Sequence, residues 1–471
     1  MAMPATIAEL RGSGYPDRSL KEELRANLLA RLRSRDRLFP QVVGFDESVV
    51  PVLERGILAG HDLILLGERG QAKTRLIRQI VDLLDEEVPA IAGCEILDHP
   101  YRPICVRCRA LVAEDGGAVP LRWVGREDRY AEKLATPDTS VADLIGDVDP
   151  IRVAEGRYLA DELTIHYGMI PRTNRGIVAI NELPDLPERI QVALFNILEE
   201  RDVQIRGYRI RLPLDLLLVA TANPDDYTHR GRIVSPLKDR FGTQVRTHYP
   251  ESARDEIAIM DQEARPPAGD IPLRVPVYMK EILAALTGEL RRSPHVNQRS
   301  GVSVRYSIGN LETLAAAAVR RAARTGESEA VPRVCDLPAV LEASIGRVEF
   351  DTIEEGREDE ILARALKTSE LEVFRRRLGG FDFQPILGRF AQGFEAETSD
   401  LQPAADLLGQ FGELRGLSKL LERLGVEEES PGAAASAIEF ALEGLHLSRR
   451  LNKDASGRPG SNRYRSAEVD S

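Results

Sequence analysis

Hydrophobic and polar positions follow two rhythms along this chain. Short unbroken apolar runs occur in HDLILLGERG, GIVAI and DLLLVATANP, each closing on a glycine or polar turn, and each reads as a buried strand. Between them the period lengthens: KTRLIRQIVDLLDEEVP reads as an amphipathic helix stopped by Pro89, and PERIQVALFNILEERD as a second helix. VQIRGYRIRLP alternates like a hairpin around Gly207. Upstream, SLKEELRANLLARLRSRDRLFP opens with a capping box, Ser19 to Glu22, and sets Leu20, Leu24, Leu28 and Leu32 at helical spacing, a helix to pack on the domain that follows. Residues 90 to 170 have no clear period and read as irregular; Trp123 is the sole tryptophan. From about residue 252 the pattern is helical, as in RYSIGNLETLAAAAVRRAART and REDEILARALKTSELEVFRRRL, and the polar tail from Asn452 is expected to be disordered. No internal repeat is visible.

Composition narrows the setting. A chain of 471 residues holds two or three domains, and 43% hydrophobic with 29% charged residues describes an ordinary soluble protein. MAMPATIAELRGSG lacks the basic start and apolar run of a secretory signal, and no apolar stretch reaches membrane-spanning length, so a cytoplasmic address without membrane contact is expected. The formal charge of -12 argues against broad electrostatic capture of nucleic acid.

GERGQAKT, residues 67 to 74, has the spacing of a phosphate-binding loop, G-x-x-x-x-G-K-[ST], with Ala72 where the second glycine belongs. In such a loop backbone N–H groups of Gly67, Glu68, Arg69, Gly70, Gln71 and Ala72 face phosphate. Lys73 reaches the β and γ oxygens, and the Thr74 hydroxyl binds magnesium. Alanine at 72 needs only a right-handed backbone for phosphate to approach as closely. The strand before the loop and the helix starting at Lys73 add the helix dipole to anion binding.

With GERGQAKT, GIVAINEL, VATANP and LKDRFG in that order, the chain resembles the AAA+ ATPases, most closely the branch of the magnesium-chelatase ATPase subunit and MoxR-type proteins. VQIRGYRIRLP is similar to that branch's hairpin before sensor 1, and EGRYLADELTIHYGMIPRTNRG to its helix-2 insertion. The resemblance spans roughly residues 38 to 350. It implies an α/β fold, a three-layer P-loop AAA+ domain with a parallel sheet over 38–250, a helical lid over 251–350 and a helical C-terminal region over 351–451. An N-terminal helix would precede it in 1–37, with the tail at 452–471. It also implies ATP with Mg2+, a homo-hexameric ring, and hydrolysis that remodels a protein partner or client, one candidate being a von Willebrand A-type metal-binding protein. Residue by residue, Val43 and Gly44 would lie near adenine, Glu182 at the attacking water, and Asn223 at sensor 1. Arg240 would be an arginine finger for the next subunit, and Arg305, with Arg299 as its rival, would be sensor 2. Asn223 before Pro224 could instead shape a turn, and Arg240 could form a surface ion pair.

Asn181 stands where this family usually writes an aspartate before the glutamate. An amide accepts a hydrogen bond from metal-bound water but brings no charge, so weaker magnesium binding is expected. A chelatase subunit proper and a nucleotide-gated scaffold with weak hydrolysis therefore stand beside the motor reading. An enhancer-binding activator is disfavoured, because the chain has no GAFTGA loop. Separately, Cys94, His99, Cys105 and Cys108 form C-x4-H-x5-C-x2-C, a candidate structural Zn2+ site in an insertion near 90–120, with Trp123 offering a docking surface beside it. The alternative is a metal-free loop whose thiols are small buried hydrophobes.

Overall fold

The computed structural model describes residues 3–148, 164–199, 202–205, 208–224, 233–297, 301–351, 356–412, 416–426, 430–456 and 460–467. The chain divides into two compact units, Met1–His248 and Tyr249–Ser471.

The first unit is built on a five-stranded sheet of β1 (Leu63–Leu66), β2 (Tyr130–Leu134), β3 (Gly176–Asn181), β4 (Leu216–Ala222) and β5 (Thr243–Arg246), in the order β5-β1-β4-β3-β2. Every pairing is parallel. The strands β1, β3 and β4 are buried along their whole length, which is why they read as unbroken apolar runs and not as alternation. Their side chains divide by parity. Leu63, Leu65, Ile177, Ala179, Leu217 and Val219 enter one core, while Ile64, Leu66, Val178, Ile180, Leu218 and Ala220 enter the other. The edge strand β2, YAEKL, is only partly buried and polar, so it carried no apolar signal.

The helix Leu20–Ser34 starts at the expected capping box and buries Leu20, Leu24 and Leu28 in the first of those cores, against Leu63, Leu76 and Leu217. Leu32 stays at the surface. A second tie is electrostatic. Arg129, fully buried, donates from both terminal nitrogens to the Glu23 carboxylate at 2.8 Å and from Nε to the Arg175 carbonyl at 2.8 Å. The helix Leu20–Ser34 is therefore part of the first unit's interior.

Pro89 does not end the helix after the glycine loop. That helix, Lys73–Ile80, closes in a 3-10 turn at Val81–Leu83, and Pro89 sits inside a strand, Glu87–Ile91, paired antiparallel with Leu121–Gly125. A two-stranded sheet has only edges, so the missing N–H costs no ladder bond. The helix Val106–Asp115 lies between these strands in sequence, so the described part of the stretch expected to be irregular holds regular elements. The hairpin forms as expected, Asp202–Ile205 with Tyr208–Arg211. Of the expected helix-2 insertion, residues 155–163 lie outside the described residues; the remainder holds the strand Ile165–Tyr167 and the turn of helix Met169–Arg172.

The second unit is mainly helical, with its longest helices at Val277–Arg292, Val304–Thr325, Glu358–Leu378 and Pro431–Leu447. One core runs from Met260 to Tyr464, joining the residues expected as lid with those expected as C-terminal region. The expected disordered tail is corrected. Leu451–Ala455 and Ser461–Ser466 pair antiparallel, and the second of these also pairs with Ala396–Ser399. Tyr464 anchors them, buried and donating its hydroxyl to Glu443 at 2.6 Å; composition hid this because one buried aromatic suffices. Among the described residues no helix is long and apolar enough to cross a membrane.

Candidate nucleotide site

The glycine loop leaves the C-terminal end of β1 and turns into the helix Lys73–Ile80. Three ties fix its start. Gly67 N–H donates to the Ala222 carbonyl at the end of β4 at 3.1 Å. The Gln71 side-chain oxygen accepts from Glu68 N–H at 3.0 Å and from the Thr247 hydroxyl, just past β5, at 2.8 Å. A Cβ at Gly67 would fall 1.9 Å from that hydroxyl and 2.3 Å from the Gln71 oxygen, so only glycine fits. Gln71 therefore contributes as a buried strut, and the N–H groups of Gly67 and Glu68, expected to face phosphate, are engaged within the protein instead.

Ala72 departs from its expected conformation. It caps the helix at φ 55°, ψ 16°, in the left-handed region, where glycine is at ease and alanine is strained by about 1 kcal/mol or more. Gly70 is also left-handed, at φ 80°. The backbone geometry of a phosphate cradle is thus kept at the cost of strain in its alanine. Lys73 is buried, and its ammonium donates to the carbonyls of Gly67 and Glu68, the latter at 2.8 Å. Thr74 follows in the first helical turn. The N-terminus of a helix placed at the end of this loop fits a polyphosphate.

Opposite the loop, β3 ends in Asn181 and Glu182. Glu182 also takes a left-handed conformation, φ 55° and ψ 50°, and its N–H donates to the Thr221 hydroxyl of β4 at 3.0 Å. A non-glycine residue held there by a neighbouring strand is the kind of strain that aims a functional side chain. Asn181 is engaged sideways. Its amide nitrogen donates to the Glu132 carboxylate of β2 at 2.7 Å, and its oxygen accepts from Thr221 at 3.4 Å. Glu132 is bound as well by Arg78 at 2.9 Å and by the Tyr130 hydroxyl at 2.9 Å. Burial alone would raise the Glu132 pKa, but Arg78, Tyr130 and Asn181 together hold it below the usual carboxylate range. An aspartate at 181 would meet a carboxylate. This, and not only weaker metal binding, accounts for the asparagine.

Asn223 follows β4 directly, one residue beyond the carbonyl that holds Gly67. Val43 and the left-handed Gly44 lie in the loop before helix Val49–Ala59, where neighbouring Phe45 packs edge-on against His248 with ring centroids 5.0 Å apart. Arg240 ends the helix Ser235–Arg240 at the surface, paired with Glu199 at 2.6 Å and lying 5.5 Å over the Phe195 ring. Arg305 is exposed in the first turn of Val304–Thr325 in the second unit, and Arg299 lies outside the described residues. Sequence reasoning missed Glu132 and Thr221, because neither belongs to a run with a recognisable spacing.

Residues 123–241 match the family model of the AAA domain (dynein-related subfamily), a span that takes in β2, β3 and β4 with Glu182, Asn223 and Arg240. That stretch is similar to AAA domains. The relatives it matches include subunits of magnesium chelatase. Magnesium-chelatase subunit ChlI of Nostoc sp. is 24% identical over 233 residues, 48% of this chain and 58% of its own length. Magnesium-chelatase subunit ChlI-2, chloroplastic, of Arabidopsis thaliana is 24% identical over 239 residues, 48% of this chain and 52% of its own. The chain thus spans little more than half the length of these curated relatives. Among solved structures, the complex between subunits BchI and BchD of magnesium chelatase aligns with 69% of this chain and 98% of its own at 19% identity. Its TM-score is 0.35, too loose to add an argument.

The first unit carries a second cluster in the insertion that follows helix Lys73–Ile80. Cys94, Asp98, Cys105 and Cys108 bring one potential ligand atom each to within 4.8 Å of one another, all buried, and all three cysteines are free thiols. His99, expected as a ligand, is not in the group, and Asp98 takes its place. The His99 Nδ1 accepts from Tyr101 N–H at 3.1 Å, its ring packs against Tyr101, and burial pushes the imidazole down to about 3. The Asp98 carboxyl is raised, first by burial and then by the charge of Cys94. Trp123 is not the expected docking surface: its indole N–H donates to the Pro4 carbonyl at 3.0 Å and its ring meets Tyr15 edge-on.

Proposed function

We propose that the protein is a cytoplasmic ATP hydrolase that works as a homo-hexameric ring and couples turnover to remodelling of a protein partner. A von Willebrand A-type metal-binding protein is the partner class we favour. The observation that carries the proposal is the shared rim at the ends of β1, β3 and β4. There the Lys73 loop, the strained Glu182 and Asn223 are tied together through Ala222 and Thr221. In this reading Lys73 exchanges its two carbonyl partners for phosphate oxygens, and the loop N–H groups hold the chain of phosphates. Mg2+, held by Thr74, would neutralise the phosphate charge. Glu182 takes a proton from water, Asn223 orients that water, and Arg240 leaves Glu199 to face the neighbouring subunit's nucleotide.

The roles separate by mutation. Lys73→Ala should abolish binding of a fluorescent ATP analogue, whereas Glu182→Gln should bind it and stall. Equal loss of binding in both would overturn the assignment. Two observations favour a nucleotide-gated scaffold as the second reading: the strain at Ala72 and the engagement of Asn181 by Glu132. Steady-state phosphate release distinguishes motor from scaffold. The names of the relatives keep a chelatase subunit proper as the alternative client relationship.

A further inference from the structure

We propose that Cys94, Asp98, Cys105 and Cys108 bind one Zn2+ in a closed four-ligand site that pins the insertion and the N-terminal segment lying on it. The spacing decides the nuclearity. A tetrahedral zinc about 2.3 Å from each sulfur holds its sulfurs about 3.8 Å apart, within the 4.8 Å reach of this group. A four-iron cluster, whose ligands bind separate irons, needs wider separation. Three soft thiolates select zinc over magnesium or calcium. Four protein ligands leave no open position, so the site is structural and performs no chemistry.

The outer contacts are those of ligands already aimed. Asp98 accepts from Ile104 N–H at 3.1 Å and from Cys105 N–H at 3.0 Å, one bond to each oxygen, which fixes the carboxylate plane. Cys105 Sγ accepts from Cys108 N–H at 3.2 Å, a bond that favours the thiolate in a C-x2-C turn. Asp98 is fully buried, and among the described residues it has no ion-pair partner, so a cation at the focus of the group supplies the missing charge. His99 lies outside the group, its Nδ1 accepting from Tyr101 N–H at 3.1 Å and its Nε2 lying 3.8 Å from the Asp17 carboxylate.

The loop closed by this site holds the start of the chain. Tyr101 donates its hydroxyl to the Tyr15 carbonyl at 3.3 Å, and Arg102 pairs with Asp17 at 2.8 Å. Beside them, Leu121 N–H donates to the Ala5 carbonyl at 2.8 Å. Removing zinc should loosen both segments while leaving the Lys73 loop in place.

The test is elemental analysis of the full chain after Zn2+ loading and desalting, with no chelator used. About one zinc per chain is expected, lost in Cys105→Ser and in Asp98→Ala, and retained in His99→Ala and in Cys335→Ser, whose thiol lies in the other unit. Since a ligand variant could lose metal by misfolding, the unmutated chain is also loaded with Co2+, which should give the visible bands of tetrahedral thiolate-bound cobalt. Hydrogen exchange at residues 94–108 and 4–17 should then rise more than about tenfold on chelation. Zinc far below one equivalent, octahedral cobalt, bound iron, or metal lost in His99→Ala but kept in Asp98→Ala would each overturn the proposal.

Discussion

Asn181→Asp places a carboxylate where an amide now donates to Glu132 at 2.7 Å. Two unit charges at that separation repel by about 6 kcal/mol at an effective dielectric of about 20, and the lost charge-assisted bond adds about 1.5–3 kcal/mol. Neither is felt in full. Arg78 already neutralises Glu132, whose side chain is 20% exposed, and the new pair can retain one proton. Retaining it costs about 1.4 kcal/mol per pH unit above the free carboxyl value, so the net loss is about 2–4 kcal/mol near pH 8 and about 1 kcal/mol near pH 5. The signs oppose each other. In the unmutated protein Glu132 is held below its ordinary pKa, so its contribution is present above the unfolded value and lost as pH falls. In the variant the pair binds an extra proton when folded, and stability falls as pH rises. Urea unfolding without magnesium, followed by fluorescence of Trp123, the sole tryptophan and a member of the first unit, reads the difference. Added Mg2+ should restore part of the loss, since a cation between the carboxylates removes the repulsion. An unchanged stability, or a deficit equal at both pH values, would refute the reasoning.

Ala72→Gly should leave stability within about 0.5 kcal/mol, because relief of left-handed strain and the greater freedom of the unfolded chain offset each other, while Ala72→Val should cost more than about 1 kcal/mol. Trp123 fluorescence during unfolding checks both. Glu370 is buried, and burial first, then the charge of Glu443, pushes it up to about 8 against the opposing charges of Lys453 and Lys367. Its proton is bound by the folded state between the ordinary carboxyl value and about 8, so stability should fall with rising pH across that window by up to about 1.4 kcal/mol per unit. Glu370→Gln should flatten this slope in a pH series of thermal midpoints. Arg240→Ala should keep nucleotide binding and lose hydrolysis, then regain activity when mixed with Lys73→Ala subunits. Full hydrolysis by a monomer would end the assignment.

Much of the sheet was legible because β1, β3 and β4 are buried on both faces and therefore write unbroken apolar runs. The edge strand β2 was not, since a half-exposed strand of tyrosine, glutamate and lysine resembles any polar stretch. Within the site, Gly67 and Lys73 announce themselves by spacing, yet the conformation of Ala72 does not. Alanine favours right-handed or extended backbone, and only the surrounding loop holds it left-handed. The partner of Asn181 was hidden for another reason. Glu132 lies far away in sequence and meets it through strand register, which no local pattern encodes. At the cysteine cluster the spacing singled out the loop where the thiols gather but not Asp98, which stands with them where His99 was expected, since histidine is the more familiar ligand in such a spacing.

The place of helix Leu20–Ser34 bears on where this protein can be cut. A chain shortened to begin at Leu38, where the family resemblance starts, would still hold every residue of the nucleotide site in the first unit. It would nonetheless open the face of the sheet that Leu20, Leu24 and Leu28 cover, surrendering about 1.5–3 kcal/mol of burial for each leucine. It would also strand the Arg129 guanidinium in the interior without Glu23, at a further cost of about 3–5 kcal/mol. Those sums match the whole stability of a typical domain, so the minimal domain drawn from motif boundaries would emerge from expression as aggregate.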